Sequence, residues 1–253
     1  MSNDASSTDS EVVLSVDVEW AHPVVLDDVV TALDERGLRA TFFCTHEGIS
    51  VPGHERALHP NFRRQGNTQL DGASPADSEL GFRQQIVDAI RGFCPEAVGV
   101  RAHSLFCETE LLSVYRAAGL QYDSSALLPL VPGIAPFVQG RGIVELPLYY
   151  MDHWDLVEQA TAFGLSDLRL DAPGLKVVGF HPNLVYLNAA TERDYLDSKA
   201  HYQDPDWLRR HRRPGRGVRT LFHELLDRLA SGPVPPTLAA LNARFRETAE
   251  GPV

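Results

Sequence analysis

The sequence is short of cysteine, of long apolar runs and of basic residues, and each shortage excludes a class of protein. Its three cysteines, Cys44, Cys94 and Cys107, are an odd number and have no Cys-x-x-Cys spacing. A disulfide framework and a thiolate zinc knuckle are therefore excluded. We interpret all three as small buried hydrophobic side chains and expect a reducing, cytoplasmic compartment.

The charge balance is acidic, because 34 aspartates and glutamates outnumber 23 lysines and arginines, for a formal net charge of −11. Such a chain repels polyanions, so we expect no nucleic-acid partner. No stretch approaches the roughly 18 apolar residues that cross a bilayer, and residues 1–10 lack the basic and apolar regions of a signal peptide. We predict no membrane insertion and interpret residues 1–10 as a disordered tail. No sequence feature indicates an oligomeric state.

What the chain does have is a series of short apolar runs, rich in valine, that alternate with helical patterns. Strands are predicted at residues 12–16, 40–44, 98–100, 122–125, 143–147 and 176–180, and helices at residues 25–36, 78–92, 108–118 and 221–229. Such alternation is typical of a parallel sheet with right-handed crossovers. The sequence therefore predicts the α/β class and a single deformed (β/α) barrel over residues 11–232, followed by a proline-containing C-terminal extension at residues 233–253.

Four apolar runs lead directly into side chains that bind metals or move protons. These side chains are Asp17 and Glu19 after the first run, His59 after the second, Arg101 and His103 after the third, and His181 after the fourth. Because the carboxyl ends of parallel strands meet at one mouth of a barrel, we expect these side chains to lie together. That arrangement makes an enzyme the leading interpretation.

The spacing of these residues favours a charged site. Asp17 and Glu19, at positions i and i+2, would share one face of a continuing strand, and two such carboxylates need a metal, an arginine or a proton beside them. Arg101 could hold one carboxylate bidentately and keep it ionised. His59 and His181 both begin the tripeptide His-Pro-Asn, in which proline keeps the preceding histidine extended. Solvated strand-end acids and structural histidines are the alternatives that remain open.

Together these residues resemble the polysaccharide deacetylase family, the NodB-type carbohydrate esterases, from about residue 12 to residue 222. The strand at residues 40–43 is similar to the family's second strand. The matching motif residues are Asp17 and Glu19 for the first motif, Arg101 for the third, Asp152-His153-Trp154 for the acid-aromatic fourth, and Phe180-His181-Pro182 for the fifth. Glu19 replaces the usual aspartate, and His103 stands where the third motif usually has proline.

The second motif departs from the family pattern. The family uses His-x-x-x-His to supply two metal ligands, but the fourth residue after His59 is Arg63. We hypothesise that His103 replaces the absent histidine. The resemblance then implies a two-histidine, one-carboxylate set of Glu19, His59 and His103. Such a set suits a divalent metal, with Zn²⁺ preferred over Co²⁺, Ni²⁺, Mn²⁺ or Fe²⁺.

The resemblance also implies roles for the other residues. Asp17, kept ionised by Arg101, would be the general base, and His181 would be the general acid, oriented by Asp152. An apolar wall for a sugar ring is predicted from the aromatic side chains Tyr149, Tyr150, Trp154 and Phe106. Ordinary packing in the core or at the rim is the alternative for each of these four aromatics.

The function implied is that of a metal-dependent hydrolase that cleaves a non-peptide amide C–N bond. Deacetylation of an N-acetylated amino sugar, or of a related small molecule or glycan inside the cell, is the leading form of that reaction. One alternative is an enzyme of the same fold with a changed metal site and different C–N chemistry, and another is an inactive carbohydrate-binding relative. The missing histidine favours these alternatives, whereas the retention of Asp17, Arg101 and His181 favours the hydrolase.

Overall fold

The computed structural model describes residues 10–70 and 72–250, in which nine strands form one curled sheet. The strands are β1 (Ser10–Asp17), β2 (Thr41–Cys44), β3 (Glu55–Leu58), β4 (Gly99–Val100), β5 (Tyr122–Asp123), β6 (Phe137–Val138), β7 (Val144–Glu145), β8 (Leu148–Met151) and β9 (Gly174–Phe180). They lie in the order β6-β7-β5-β4-β3-β2-β1-β9-β8. Only β6 runs antiparallel to its described neighbour, so the parallel strands point their carboxyl ends toward one mouth.

Nine helices of the described chain pack around this sheet. They are α1 (Pro23–Asp34), α2 (Glu79–Phe93), α3 (Leu111–Ala117), α4 (Asp152–Glu158), α5 (Pro182–Leu187), α6 (Glu192–Ser198), α7 (Pro205–Arg210), α8 (Val218–Ala230) and α9 (Leu238–Glu250). The predicted cap of α2 is present, because the Ser78 hydroxyl accepts a hydrogen bond from the amide of Gly81. None of the described helices combines the length and the hydropathy that a membrane crossing requires.

The sheet curls until its two ends are bridged. β1 and β9 pair over seven residues next to the β8 edge, and the core-facing side chains of both strands are buried. At this edge, the amide of Leu148 in β8 donates to the carbonyl of Ala126, and the carbonyl of Leu148 accepts from the amide of Leu128, each at 2.8 Å. Residues 126–130 continue from β5, so the chain closes the gap between the edges. The predicted deformed (β/α) barrel is confirmed.

The C-terminal segment packs against the amino end of the barrel, opposite the mouth. The amide of Leu238 donates to Thr41 Oγ1 and the amide of Ala239 donates to Glu55 Oε2, both at 2.9 Å. Thr41 and Glu55 are the first residues of β2 and β3, and the side chain of Leu238 is fully buried. The extension predicted at residues 233–253 therefore contributes α9 to the core. The predicted disordered tail falls on residues 1–9, which lie outside the described residues, and on Ser10, which begins β1.

Strand β8 and the four short helices α4 to α7 were not predicted from the sequence. Residues 148–151 form β8, separated from β7 by Leu146 and Pro147, although the apolar pattern predicted only one strand there. The helices α4, α5, α6 and α7 have six or seven residues each. At two turns or fewer, the 3.6-residue period repeats too rarely to be recognised.

Gly99 in β4 is expected to tolerate no side chain. A Cβ atom at this position would lie 1.8 Å from Cζ of Tyr122, whose ring is buried and whose hydroxyl donates to Glu55 at 2.6 Å. We expect Gly99→Ala to lower the free energy of unfolding by about 1–3 kcal/mol, because overpacking forces side chains and backbone to shift. Urea denaturation measures this change. Gly92→Ala is the matched control, since an added Cβ meets nothing within 4 Å, and equal midpoints for the two variants would contradict the prediction.

Candidate active site

A buried ion pair joins the ends of β1 and β4 at the mouth. Arg101 Nη1 donates to Asp17 Oδ1 at 2.6 Å and to Ser15 Oγ at 3.0 Å. Arg101 Nε and Nη2 donate to the carbonyl and the hydroxyl of Ser124, both at 2.9 Å. The guanidinium also lies 4.1 Å above the ring of Phe43. Arg101 is completely buried, so these contacts fix its charge beside one oxygen of Asp17.

The ion pair determines the protonation state of Asp17. Burial alone would favour the neutral acid, but the charge and hydrogen bond of Arg101, together with the charges of His59 and His181, outweigh burial and lower the pKa of Asp17 below its ordinary value. Arg101 occupies Oδ1, whereas Oδ2 faces the Nε2 atom of His181 at 3.9 Å. Asp17 is thus an ionised carboxylate with one oxygen directed into the mouth, as a general base requires.

Three potential metal ligands lie beside this carboxylate. Glu19 follows β1 in a left-handed conformation, with φ of 51°. Its Oε1 atom lies 3.3 Å from Nε2 of His59 and 3.0 Å from Nδ1 of His103. One ligand atom from each of the three residues lies within 4.8 Å of the others. The structure therefore brings together the carboxylate and the two histidines that the sequence analysis selected.

The hydrogen bonding of His59 fits a metal ligand. Nδ1–H of His59 donates to the carbonyl of Arg101 at 2.8 Å, which leaves the lone pair of Nε2 facing Glu19. Histidines that bind metals typically hold their other N–H in such a bond. Two ligand atoms that each lie about 2.0–2.2 Å from a tetrahedral ion are about 3.3–3.6 Å apart, slightly more than the 3.0 and 3.3 Å that separate Oε1 of Glu19 from His103 and His59. Burial opposes the ionisation of Glu19, but the adjacent imidazoles of His103 and His59 outweigh burial and keep the pKa of Glu19 well below its usual value.

His181 lies across the mouth, held by a buried aspartate. Asp152 follows β8, and its Oδ1 atom accepts from Nδ1–H of His181 at 2.6 Å, while Oδ2 accepts from the backbone amide of His181 at 2.8 Å. Burial would lower the pKa of His181, but the charges of Asp152, Asp17 and Glu19 outweigh burial and raise it to about 9. His181 is therefore an imidazolium at neutral pH, with Nε2–H directed toward both Asp17 and Glu19, 3.9 Å from each.

Two of the four predicted wall residues belong to the core. Tyr149 and Tyr150 are 1% and 0% exposed, and their hydroxyls donate to the carbonyl of Leu168 and to the carboxylate of Asp155. The prediction that these two rings offer a surface to substrate is wrong, because both faces of β8 are covered. The rings of Phe106 and Trp154 are half-buried and pack on Phe62 and Tyr150, respectively. A contact of these two rings with substrate stays a prediction.

Two rings beside the site received no role from the sequence, although His153 stands in the Asp152-His153-Trp154 motif match. The indole of Trp20 lies edge-on to His103, with ring centroids 5.5 Å apart. The ring of His153 lies 6.0 Å from that of His181. Each directly follows an acid that the analysis selected, Glu19 or Asp152. Adjacency to those acids is the signal that could have identified them.

Comparison with known proteins places this site in a family. The model of the WbmS-like polysaccharide deacetylase family matches residues 14–199, a stretch that contains every ion-pair and ligand residue described above. The chain belongs to this polysaccharide deacetylase family. The resemblance inferred from the motifs is thereby confirmed. A search of the curated proteins finds no match.

Solved structures of polysaccharide deacetylases share the fold. WbmS of Bordetella bronchiseptica, described as a polysaccharide deacetylase involved in O-antigen biosynthesis, is 31% identical, with a TM-score of 0.73 over 86% of this chain and 90% of that one. A polysaccharide deacetylase structure from Mycobacterium smegmatis is 16% identical, with a TM-score of 0.54 over 95% and 92% of the two chains. The second likeness shows the fold alone.

Proposed function

We propose that this polysaccharide deacetylase is a metal-dependent amide hydrolase that removes an acetyl group from the nitrogen of an amino sugar. The observation that carries the proposal is the meeting of three elements at one mouth. An ionised Asp17 and a protonated His181 face each other at 3.9 Å, and the ligand set of Glu19, His59 and His103 lies beside them. Base, acid and ligand set are the parts that metal-assisted amide hydrolysis needs.

The ligand set fits a divalent ion, with zinc preferred because two imidazoles and one carboxylate are among its usual catalytic ligands. When bound by Glu19, His59 and His103, such an ion supplies Lewis-acid chemistry that polarises the amide carbonyl and acidifies an attacking water.

The chain's own residues carry the proton transfers. Oδ2 of Asp17 takes a proton from the attacking water, because Arg101 holds Oδ1 and keeps the carboxylate ionised. The water oxygen forms a bond to the carbonyl carbon. Nε2–H of His181 then gives its proton to the nitrogen as the C–N bond breaks. Acetate and a free amine are the products, and Asp152 keeps the ring of His181 aimed at the leaving nitrogen throughout.

Product analysis tests the proposal directly. Zinc-loaded protein is incubated with N-acetylglucosamine, N-acetylgalactosamine and their nucleotide-linked forms, and acetate and free amine are measured by NMR and mass spectrometry. We expect the two products in equal amounts, and we expect their formation to stop when a chelator removes the metal. Absence of acetate from all these amides, with metal stoichiometrically bound, would contradict the proposed reaction.

The pH dependence of the reaction should report on His181. A general acid must be protonated, so activity should persist up to the raised pKa of about 9 and fall above it. The variant Asp152→Asn lacks the negative charge that contributes most to the raised pKa of His181. Burial then lowers the pKa of His181. The basic limb of kcat/KM should move to lower pH by about 1–3 units. Glu158→Gln, which removes a charge from an exposed position at the end of α4, is the control. A basic limb that stays in place in Asp152→Asn would contradict this role of Asp152.

A further inference from the structure

We infer that His153, Tyr195 and Tyr202 form a leaving-group subsite, which binds the pyranose ring that carries the departing nitrogen. These residues lie in α4, in α6 and in the turn after α6. The inference rests on the proposed function, because the location of the sugar follows from the role of His181 as the acid that protonates the leaving nitrogen. No motif of the sequence analysis assigned a role to Tyr195 or Tyr202.

The position of His181 determines where the sugar must lie. Its Nε2–H protonates the leaving nitrogen, so the ring attached to that nitrogen lies on the His181 side of the mouth. The acyl group lies on the other side, over Glu19, His59 and His103, where its carbonyl is polarised. The side chains next to His181, away from those ligands, are therefore the ones in reach of the sugar.

His153 is the nearest such side chain. Its ring centroid lies 6.0 Å from that of His181 and 4.4 Å from that of Tyr195, edge-on to both. Its backbone amide donates to Asp152 Oδ1 at 2.7 Å, so one carboxylate positions both the acid His181 and its neighbour. Among the described residues, none hydrogen-bonds the ring nitrogens of His153. The ring is half-buried and keeps a donor and an acceptor for a ligand.

The charge state of His153 suits a neutral ligand. Burial, followed by the positive charge of His181, lowers the pKa of His153. The imidazole is thus neutral at pH 7, with one N–H donor and one lone pair. A sugar hydroxyl, which both donates and accepts, complements that pair of groups.

Tyr195 is held rigidly beside His153. The ammonium of Lys199 lies 4.3 Å from the centre of its ring. The start of α6 is fixed by a capping box between Thr191 and Asp194, and Arg213 donates to both oxygens of Asp194 at 2.8 Å. A tyrosine ring fixed in this way offers an apolar edge and a hydroxyl without much loss of rotamer entropy on binding.

Tyr202 completes the subsite from the turn after α6. Burial, together with Tyr195 and the carboxylate of Glu19, raises the pKa of its phenol. The phenol therefore stays protonated and can donate a hydrogen bond. The next residue along the turn, Gln203, donates from Nε2 to the carbonyl of Trp20, the residue after Glu19, so the turn that carries Tyr202 lies against the mouth. The subsite thus consists of three aromatic side chains that carry neutral polar groups. This composition favours a polyhydroxylated ring over a charged ligand.

A pair of matched ligands tests the subsite. N-acetylglucosamine carries a ring with hydroxyls, and N-cyclohexylacetamide carries a ring of the same size without them. Saturation-transfer NMR on zinc-loaded protein should show contact to the ring protons of the sugar. In His153→Ala and Tyr195→Ala the affinity for the sugar should fall about 3- to 10-fold, while that for N-cyclohexylacetamide stays within twofold. Tyr186→Phe is the control, because Tyr186 packs under Arg212 in another part of the helical layer.

The kinetic readout separates the subsite from the catalytic machinery. Both variants should raise KM for the sugar and leave kcat nearly unchanged, with zinc content and thermal midpoint as for the wild type. Unaltered sugar affinity in both variants, or no contact to the sugar ring in the wild type, would overturn the subsite. Sugar contact without turnover in the wild type would instead overturn the proposed hydrolysis and leave the subsite standing.

Discussion

Asp17→Asn is expected to lower kcat/KM for amide hydrolysis by about 10²–10⁴-fold, the usual contribution of a general base. The substitution keeps the shape of the side chain but removes the charge that accepts the proton. Arg101 would still donate to Ser15 and Ser124. The side-chain amide cannot accept a proton from water at neutral pH. The loss should therefore appear in kcat, while KM for the sugar amide changes little.

The same substitution should also lower stability, and the two effects can be separated. Arg101 is completely buried, and removal of its counterion leaves an uncompensated charge that costs about 3–5 kcal/mol. Turnover is therefore normalised to folded, zinc-loaded protein, with zinc affinity determined by calorimetry. Asp27→Asn, the same chemical change at an exposed position of α1, is the control and should leave kcat as in the wild type. Near wild-type turnover in Asp17→Asn would refute the assignment of the base.

The ends of β1 and β9 could be predicted because their signal is local. β1 and β9 are covered on both faces, so they show continuous apolar runs rather than alternation, and the ionisable residues begin where each run ends. β8 shows the limit of the same reasoning. Its side chains are also buried on both faces, but the aromatic rings of Tyr149 and Tyr150 follow a predicted strand end, and in the sequence they predict an apolar wall for a sugar instead of a core. The hydroxyls of Tyr149 and Tyr150 donate to Leu168 and Asp155, respectively. No local sequence pattern predicts these partners.

The partners of Arg101 show why part of the site could not be predicted. Ser124 accepts two hydrogen bonds from Arg101 and lies 23 residues from it in the sequence. Ser15 accepts one and lies 86 residues away. Tyr195 likewise meets His153 only because α6 packs against α4. Such contacts depend on how helices and strands are arranged across the barrel, and short helices leave too weak a periodic signal to place them. Motif matching selected the ionisable residues at the mouth, including Arg101 and Asp152, but not Ser15 and Ser124, which hold the guanidinium of Arg101.

His103→Ala is expected to weaken zinc binding at least about 100-fold, since loss of a partner that only supports a ligand already costs about 10–100-fold. The imidazole of His103 contributes one of the three atoms in the ligand cluster, 3.0 Å from Glu19. Without it, two protein ligands remain, which is fewer than zinc uses in enzymes. Calorimetric titration and metal analysis of the purified variant measure the change. His211→Ala, at an exposed position, should bind zinc as the wild type does.

A second variant, Arg63→His, tests whether a histidine at the position expected from the family motif can replace His103 in zinc binding. Histidines at positions i and i+4 face one another only on a helix, and the described residues 59–63 are not helical. Arg63 instead is exposed and reaches the hydroxyl of Ser104 at 3.2 Å. We therefore expect Arg63→His to leave zinc affinity low when combined with His103→Ala. Full zinc stoichiometry in His103→Ala alone would show that Glu19 and His59 bind the ion without it, and the replacement of the motif histidine by His103 would then be wrong. Arg101 and His103 are two residues apart, so the segment after β4 would supply both the partner of the proposed base and a ligand of the proposed metal site.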